Sequence, residues 1–473
     1  MRGTKIVATL GPATDSPEAV RGLLEAGVNV FRLNASHGNL AEHAARIDRV
    51  RAAEHSTGLR AAILLDLQGP KIRLGEFANG GCKLENGAEI TITTLEVLGN
   101  ATLASTSYPE FARDVRPGSR VLLADGAVEL QVVETDGVAA RCRVIRGGWI
   151  SDRKGINLPG VKVSAPSLTE KDVRDLEFAL EKQVDLIALS FVRSPADVVR
   201  CREEIARLGG RLPVIAKVEK PEAVADLPRI LEQSDGVMVA RGDLGVEMPL
   251  DEVPYIQKRI IREARRRGRT VITATQMLES MVGSAEPTRA EVSDVANAIF
   301  DGSDAVMLSA ETSIGKFPVE AVRMMVSIAE KTEAHSSFRA YEDLSPGDGA
   351  AIGEIVAFTA CEAARLARAK AIVVFTTMGS TARRVSRFRP HVPVIALTPS
   401  RPVAHQLCLS FNVYPVLVDS VRSTDQMIEQ VESVVRTRWH LQPGDVIAVA
   451  AGHPIGSGVT NLLKLHRIEG TAG

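Results

Sequence analysis

Residues 213–243, PVIAKVEKPEAVADLPRILEQSDGVMVARGD, contain the unit whose repetition decides the fold. An apolar run at 213–219 precedes a helical stretch, and a second apolar run follows at 236–240. A strand, a helix and a strand in this order predict a βαβ unit with two parallel strands. Charged side chains stand at the end of each run, Lys217 and Glu219 in the first and Asp243 just after the second.

The same alternation continues in both directions along the chain. The predicted strands that share it lie at 5–10, 28–36, 61–67, 185–192, 213–219, 236–240, 270–275 and 304–308. Eight such units predict an α/β fold of the closed (β/α)8 TIM-barrel type. An open doubly wound sheet is the alternative, but no glycine-rich dinucleotide fingerprint follows the first strand, which favours the barrel.

Two further domains are expected. Between 74 and 153 the helical pattern disappears and turn signals separate short strands, which predicts a small all-β lid domain inserted into the barrel. The barrel domain then covers 1–73 and 154–335. A polar stretch at 335–349 is a candidate domain boundary, and the alternation beyond it predicts a C-terminal α/β regulatory domain at 350–473.

Composition narrows the class of protein without naming its chemistry. The 473 residues include 57 Lys and Arg against 58 Asp and Glu, which excludes a globally basic nucleic-acid or membrane-surface binder. No apolar run approaches the ~18 residues of a membrane span. Five scattered cysteines without a CxxC pair indicate reduced thiols, and the first residues show no signal-peptide core. We therefore expect a cytoplasmic protein without nucleic-acid or membrane partners.

Polar side chains gather at the ends of the second and third predicted strands. Arg32, Asn34 and Ser36 are spaced two residues apart, so they point to one side of an extended chain. An arginine, an amide and a hydroxyl on one face indicate an anion or phosphate site, with a solvated strand end as the alternative. The third strand ends at Asp66, and two fixed cations follow it.

The later strands add carboxylates and hydroxyls. Lys217 and Glu219 share a face, and Asp243 comes from the next strand at a similar level. Two carboxylates on neighbouring strand ends suit Mg²⁺, which takes few protein ligands, although a simple ion pair is the alternative. Thr275 and Ser309 end the seventh and eighth strands with hydroxyls that suit proton transfer or carboxylate binding.

Several rival chemistries lack their motifs. The chain has no P-loop, HExxH or GxSxG motif and no cysteine–histidine cluster with zinc spacing. Cations, a divalent metal and hydroxyls are instead the groups that phosphoryl transfer uses for positioning and charge neutralisation.

Eight strings along the chain resemble pyruvate kinase in sequence and order. They are TKIVATLGP (4–12), RLNASHG (32–38), DLQGPKIR (66–73), KGINLPG (154–160), AKVE (216–219), MVARGDLGV (238–246), TATQMLESM (273–281) and MLSAET (307–312). The resemblance implies transfer of the phosphoryl group of phosphoenolpyruvate to ADP, giving ATP, followed by protonation of the enolate to pyruvate. It also implies a homotetramer.

The resemblance assigns roles to the residues of these strings. Glu219 and Asp243 match the ligands of Mg²⁺, for which Mn²⁺ is an alternative, and Lys217 matches the cation beside the transferred phosphoryl group. The matching phosphate, carboxylate and proton-transfer positions are Arg32, Arg73, Gly242, Asp243, Thr275 and Ser309. The matching nucleotide positions are Asn34, His37, Arg73 and Lys154. The lid at 74–153 is expected to close over the cleft and exclude water.

One departure concerns a monovalent cation. Many members of the family hold K⁺ at positions matching Asn34, Ser36, Asp66 and the residue after that aspartate, which here is Leu67. The string with Leu67, Gln68 and Lys71 resembles the K⁺-independent branch. An ammonium supplies the same local charge as K⁺, so we expect Lys71 to replace K⁺ and K⁺ not to be required.

The C-terminal domain contains a candidate effector loop at a strand-to-helix junction. Its hydroxyls and backbone N–H groups suit a phosphate, and they belong to Thr376, Thr377, Gly379, Ser380 and Thr381. Similar loops in the family bind phosphorylated effectors, and an ordinary N-cap turn is the alternative. For the whole chain, two other functions stay open: a Mg²⁺-dependent lyase acting on a pyruvate-type enolate, and a non-catalytic metabolite-sensing or RNA-associating scaffold.

Overall fold

The computed structural model describes residues 2–335, 344–421, 423–452 and 459–469. Eight parallel strands close into a barrel in which the first strand pairs with both the second and the last. These strands are Lys5–Thr9, Val30–Asn34, Ala62–Asp66, Leu186–Leu189, Val214–Val218, Gly236–Ala240, Thr270–Ala274 and Ala305–Leu308. The closed sheet confirms the predicted barrel and excludes the open doubly wound alternative.

Helices surround the barrel. The longer ones are Pro17–Ala26, Leu40–Thr57, Glu170–Glu181, Pro195–Arg207, Leu227–Gln233, Val253–Arg266, Arg289–Phe300 and Pro318–Ala334. Shorter α-helical turns are Pro221–Ala225, Arg241–Glu247 and Ala310–Ser313, and 3₁₀ turns are Pro12–Thr14 and Glu279–Val282. Strand residues alternate between the helix layer and the barrel interior: Ile6 and Ala8 pack with the helices, while Val7 belongs to the interior cluster.

That alternation also directs the polar residues. Val30, Leu64 and Ile215 fill the barrel interior. Two residues further along each strand come Arg32, Asp66 and Lys217, which therefore continue the same inward face at the carboxyl end of the barrel.

The insertion after the third strand forms its own sheet domain with a separate apolar core. Its strands are Gly81–Leu84, Glu89–Thr93, Leu103–Ser105, Arg120–Leu123, Val128–Thr135, Ala139–Arg146, Gly148–Ser151 and Ile156–Asn157. One short helix, Phe111–Asp114, lies among them, an addition to the all-β expectation.

The C-terminal domain contains a five-stranded sheet. In sheet order its strands are Val413–Leu417, Val394–Thr398, Ala371–Phe375, Val446–Ala451 and Leu462–Arg467. Its helices are Ile352–Leu366, Ser380–Arg387, Arg401–Gln406 and Thr424–Trp439, with a 3₁₀ turn at Leu407–Leu409. The last strand runs antiparallel to its neighbour and was not predicted. The predicted boundary at 335–349 lies partly outside the described residues, which omit 336–343.

The C-terminal domain docks on the amino end of the barrel, opposite the polar strand ends. Cys408 and Leu409 of the C-terminal domain belong to the same apolar cluster as the inward-facing residues of the barrel. Lys5, at the start of the first strand, donates to the Val413 carbonyl at 2.8 Å. Arg389 pairs with Asp304, just before the eighth strand, at 2.7 Å. No helix in the described ranges is both long and apolar enough to cross a membrane.

Candidate active site

Lys217 is the centre of an ion cluster at the carboxyl end of the barrel. Its ammonium lies 2.7 Å from Glu219 Oε1 and 3.3 Å from Asp66 Oδ1, and it donates to Ser190 Oγ at 2.8 Å. Asp66 Oδ2 in turn accepts a hydrogen bond from Arg32 Nε at 2.8 Å. Three strands therefore bring the predicted residues Arg32, Asp66, Lys217 and Glu219 together, and the end of a fourth adds Ser190.

Because the cluster is buried, the pKa of Lys217 and that of Asp66 depend on the charges of their partners. Burial alone would lower the pKa of Lys217, but the charges of Asp66, Glu219 and Asp243 outweigh it and raise that pKa. Burial alone would raise the pKa of Asp66, but Lys217 and Arg32 hold it below its ordinary value. Lys217 and Arg32 are thus cations held in place before any substrate arrives.

Glu219 and Asp243 form the candidate metal pair. Glu219 is almost fully buried, and its Oε2 accepts the backbone N–H of Phe191 at 3.1 Å. Asp243 lies in the first turn of Arg241–Glu247 with its side chain exposed. Burial raises the pKa of Glu219 and the charge of Asp243 raises it further, although the charge of Lys217 acts in the opposite direction.

The donor set fits a hard divalent cation that takes most of its ligands from elsewhere. Across the described residues, no group of three or more histidine, cysteine, aspartate or glutamate side chains forms a complete metal site. Two carboxylates leave the remaining positions to water and substrate oxygens, as Mg²⁺ prefers.

Thr275 adopts a backbone conformation that is rare for a β-branched residue. Its φ is 68° and that of Gln276 is 53°, both in the left-handed region. Arg241 stabilises this turn by donating to the Thr275 carbonyl at 2.6 Å while pairing with Asp294 at 2.7 Å. The Thr275 hydroxyl accepts the Gly242 N–H at 2.8 Å, which places the two predicted carboxylate binders side by side.

Ser309 directly follows the eighth barrel strand, and its side chain is half-buried. Its Oγ is buried and makes no hydrogen bond to the part of the chain that is described. Its backbone N–H donates to Glu311 Oε2 at 2.7 Å, and the other oxygen of Glu311 accepts from Leu278 at 3.0 Å. Glu311 thus fixes the turn, while the Ser309 hydroxyl is left for a ligand or a water molecule.

The residues of the predicted monovalent-cation region lie beside this cluster. Burial lowers the pKa of Lys71, and the charges of Arg73 and Lys217 lower it further. The Leu67 side chain is buried in the layer between barrel and helices, and its carbonyl accepts the Ser190 hydroxyl at 2.7 Å. Gln68 is half-buried.

The predicted nucleotide residues divide into two groups. Asn34 accepts the Ser36 N–H at 3.1 Å, and His37 is exposed on the same loop. Burial lowers the pKa of His37, as do the Lys71, Arg73 and Arg32 charges. The His37 ring is thus neutral near pH 7 and lies on the cationic side of the cleft.

Arg73 and Lys154 belong to the junction between barrel and lid. Arg73 forms an isolated β-bridge with Gly155, and its guanidinium donates to the Arg153 carbonyl at 3.0 Å. The Lys154 carbonyl accepts the Leu74 N–H at 2.8 Å, and its side chain is exposed. Among the described residues, neither side chain forms a hydrogen bond or ion pair with the Lys217 cluster.

The candidate effector loop lies in the C-terminal domain, away from this cluster. Gly379 has a φ of 77° and precedes the helix Ser380–Arg387. The Thr381 hydroxyl is hydrogen-bonded to that of Thr460 at 2.7 Å, and Thr376 is buried. Thr377 is exposed and Ser380 is half-buried.

Sequence reasoning missed four residues that hold the site together. These are Ser190, Phe191, Arg241 and Glu311. Ser190 and Phe191 follow the fourth barrel strand directly, so the rule that a polar strand end belongs to the active-site face already pointed to Ser190. Arg241 and Glu311 lie inside motifs that were recognised, but their contacts cross between elements and leave no local signal.

Comparison with known proteins gives one family over nearly the whole chain. Residues 1–322 match "Pyruvate kinase, barrel domain" and residues 354–466 match "Pyruvate kinase, alpha/beta domain". Pyruvate kinase of Mycobacterium intracellulare is 48% identical over 468 residues, covering 99% of this chain and 98% of that protein. "Pyruvate kinase 2" of Synechocystis sp. is 48% identical over 481 residues, covering 100% of this chain and 80% of that protein.

A solved structure agrees with these relatives. Pyruvate kinase of Cryptosporidium parvum superposes with a TM-score of 0.92 at 37% sequence identity, covering 99% of this chain and 96% of that one. The lyase and scaffold alternatives gain no support from these relatives. The chain belongs to the pyruvate kinase family and is a phosphotransferase.

Proposed function

We propose that the ion cluster around Lys217 carries out the transfer of the phosphoryl group from phosphoenolpyruvate to ADP. The observation that carries this proposal is a buried ammonium held between Asp66 and Glu219, beside Arg32. Oriented charges of this kind stabilise the charge on a phosphoryl group in flight without reorganising during the reaction. Arg32 and Arg73 supply the further phosphate contacts.

The metal pair and the neighbouring turn complete the substrate site. Glu219 and Asp243 would hold Mg²⁺, or Mn²⁺ in its place, which when bound neutralises negative charge on the substrate oxygens. The Gly242 backbone and the Thr275 hydroxyl bind the substrate carboxylate. This fixes the orientation of the phosphate relative to Lys217.

In the reaction, one bond forms and one bond breaks at phosphorus, and the enolate is then protonated. An oxygen of the ADP β-phosphate bonds to phosphorus as the bond from phosphorus to the enol oxygen breaks, giving ATP and the enolate. The enolate carbon takes a proton along a route to which the Thr275 and Ser309 hydroxyls contribute. Asn34, His37, Arg73 and Lys154 contact the nucleotide, and closure of the lid excludes water as a competing acceptor.

Metal binding tests the role of the carboxylate pair. We expect Glu219→Gln and Asp243→Asn each to weaken binding of Mn²⁺, followed by electron paramagnetic resonance of the free ion, and to raise the Mg²⁺ concentration needed for activity. Asp251→Asn is the matched control, since Asp251 is exposed on the following loop. Unchanged Mn²⁺ binding in both site variants would exclude this pair as the metal ligands.

We also propose that Lys71 replaces K⁺. Burial and the charges of Arg73 and Lys217 lower the pKa of Lys71, while the charges of Asp243 and Asp66 raise it. Lys71 is thus placed among the same charged groups as Lys217. Initial rates should therefore survive exchange of K⁺ for a tetraalkylammonium salt, and Lys71→Gln should make the rate depend on K⁺. A collapse of the wild-type rate without K⁺ would rule the idea out.

Regulation and assembly are the remaining proposals. A phosphorylated metabolite bound at the effector loop should activate the enzyme, and the activation should be lost in Ser380→Ala/Thr381→Ala. Saturation curves that do not change across a panel of sugar phosphates and AMP would contradict this. The homotetramer predicts four times the chain mass in sedimentation equilibrium.

A further inference from the structure

A second concentration of positive charge lies at the opposite end of the barrel, where the C-terminal domain docks. A half-open crevice separates the two domains there. The barrel lines it with Arg265, at the end of the helix Val253–Arg266, and with Arg269, just before the seventh strand. The C-terminal domain lines it with Arg383, Arg387 and Arg389.

Among the described residues, the carboxylates near the crevice leave Arg269 and Arg383 without an ion pair. Among the described residues that line it, Asp304 is the one acidic side chain. Asp304 is already paired with Arg389 at 2.7 Å and accepts the Val271 N–H at 2.8 Å. Arg387 pairs with Glu354, outside the crevice, at 2.6 Å.

Arg269 and Arg383 face each other across the domain boundary with little compensation. Each makes one hydrogen bond to a carbonyl, Arg269 to Glu232 at 3.1 Å and Arg383 to Met378 at 2.7 Å. Burial lowers the pKa of Arg383, and the positive charge of Arg269 lowers it further. Asp235, which counteracts this, is itself paired with Arg202 at 2.6 Å.

Buried nitrogen atoms in the crevice also lack partners. Arg269 Nε and Arg387 Nε are buried and make no hydrogen bond to the described residues. A buried N–H donor without an acceptor costs free energy that a bound anion would recover, and guanidinium groups match the geometry of phosphate oxygens.

We propose that this crevice binds a small phosphorylated metabolite, a dianionic phosphate monoester whose phosphate contacts arginines of both domains. The lining includes barrel residues and none of the hydroxyls of the candidate effector loop, although Arg383 also donates to the Met378 carbonyl in that loop. An anion bound here would offset the repulsion between Arg269 and Arg383. It would therefore stabilise the docking of the C-terminal domain on the barrel.

Thermal unfolding of the full chain, with inorganic phosphate as the probe, tests the proposal. The buffer contains no Mg²⁺, and chloride keeps the ionic strength constant, so that general screening is subtracted. We expect phosphate to raise the unfolding temperature in a saturable way, as a ligand that prefers the folded state does. Arg269→Gln/Arg383→Gln should weaken the apparent affinity at least about tenfold, because two charge-assisted contacts are lost.

Two matched variants distinguish phosphate binding in the crevice from phosphate binding elsewhere on the chain. Arg262→Gln removes an exposed arginine of the same barrel helix and should behave as wild type, as should Ser380→Ala/Thr381→Ala in the effector loop. If the double glutamine variant does not fold, Arg269→Lys/Arg383→Lys keeps the charge, loses the planar fork and should bind phosphate with intermediate affinity.

Three results would overturn the proposal. The first is that phosphate stabilises the protein no more than chloride does, as expected if acidic groups of a second copy of the chain already fill the crevice. The second is that phosphate raises the unfolding temperature of Arg269→Gln/Arg383→Gln as it does that of wild type, which would mean that phosphate binds elsewhere. Loss of the phosphate effect in the effector-loop variant would assign it to that loop.

Discussion

At the carboxyl end of the barrel, Lys217 and Arg32 each face a carboxylate, at 2.7 and 2.8 Å, whereas the described residues that line the crevice at the amino end include five arginines and one carboxylate. Both ends gather cations from elements far apart in sequence. At the carboxyl end the protein supplies the counter-charges itself, so the cations are fixed before substrate binds. At the amino end, Arg387 and Arg389 are paired, but Arg269 and Arg383 form no ion pair with the described residues.

The difference shows two uses of buried positive charge. Preorganised cations lower a barrier because their desolvation is already offset in the folded state. Cations that lack a full set of counter-charges can bind an anion instead. Where they lie between two domains, that anion would also stabilise the docking of the domains. Substitutions at the carboxyl end are therefore expected to change the reaction rate, and substitutions at the amino end are expected to change the stability.

Removal of the Lys217 charge is expected to have the largest effect. Lys217→Met leaves Asp66 and Glu219 without their shared cation and removes the charge beside the phosphoryl group, so kcat should fall by about 10²–10³. Steady-state assays with coupled detection of pyruvate measure this. Lys182→Met, on the outside of the barrel, is the control. Retention of most activity by a folded Lys217→Met protein would contradict the assigned role.

Arg389→Gln should have the largest effect at the amino end. Arg389 pairs with Asp304, and both side chains are largely buried. Breaking such a pair leaves a buried charge uncompensated, so the free energy of unfolding should fall by about 3 kcal/mol. Urea unfolding measures this, with Arg269→Gln/Arg383→Gln expected to lose less. Equal losses in both variants would mean that the crevice arginines are all structural.

Much of the fold was predictable because it follows from local patterns. Each barrel strand is an apolar run followed by a helix, and eight repeats allow one closed arrangement. The placement of Lys217, Glu219 and Asp243 at one end of the barrel was predictable because strand ends meet on one face. The last strand, Leu462–Arg467, was missed because its buried and exposed residues do not alternate. The arginine crevice leaves no signal in the sequence, because Arg269 and Arg383 are brought together by domain docking alone.

The Thr275 hydroxyl should contribute a smaller, separable effect at the carboxyl end. Thr275→Val keeps the branched shape in the strained turn but leaves the Gly242 N–H without its acceptor. Loss of one such hydrogen bond predicts a decrease of about tenfold in kcat/KM for phosphoenolpyruvate, with KM for ADP unchanged. Thr275→Ser restores the hydroxyl and should recover most of the loss. If serine and valine were equally impaired, the effect would come from packing of the methyl group.

Lys5 gives the smallest predicted effect, on the pH dependence of stability at the amino end. Its ammonium donates to the Val413 carbonyl and lies 4.4 Å from the centre of the Tyr414 ring. Burial, and then the charge of Arg2, lower the pKa of Lys5 to about 7, although Cys408 and Glu333 act in the opposite direction. Burial raises the pKa of both Cys408 and Tyr414 to about 12, so neither titrates in the same range.

The sign of the effect follows from proton binding. Between about pH 7 and the ordinary lysine pKa of about 10.4, the unfolded chain holds more protons at Lys5 than the folded chain, so raising the pH stabilises the fold. Below about pH 7 both states are protonated and the contribution is constant. The free energy of unfolding should rise by at most about 1.4 kcal/mol per pH unit relative to Lys5→Met, measured as urea midpoints at about pH 7.5 and about pH 9. Lys331→Met, an exposed lysine on the helix Pro318–Ala334, should follow wild type. Parallel pH dependence of wild type and Lys5→Met would mean that Lys5 keeps its proton in the folded state, and that this end of the barrel accommodates one more buried positive charge than proposed.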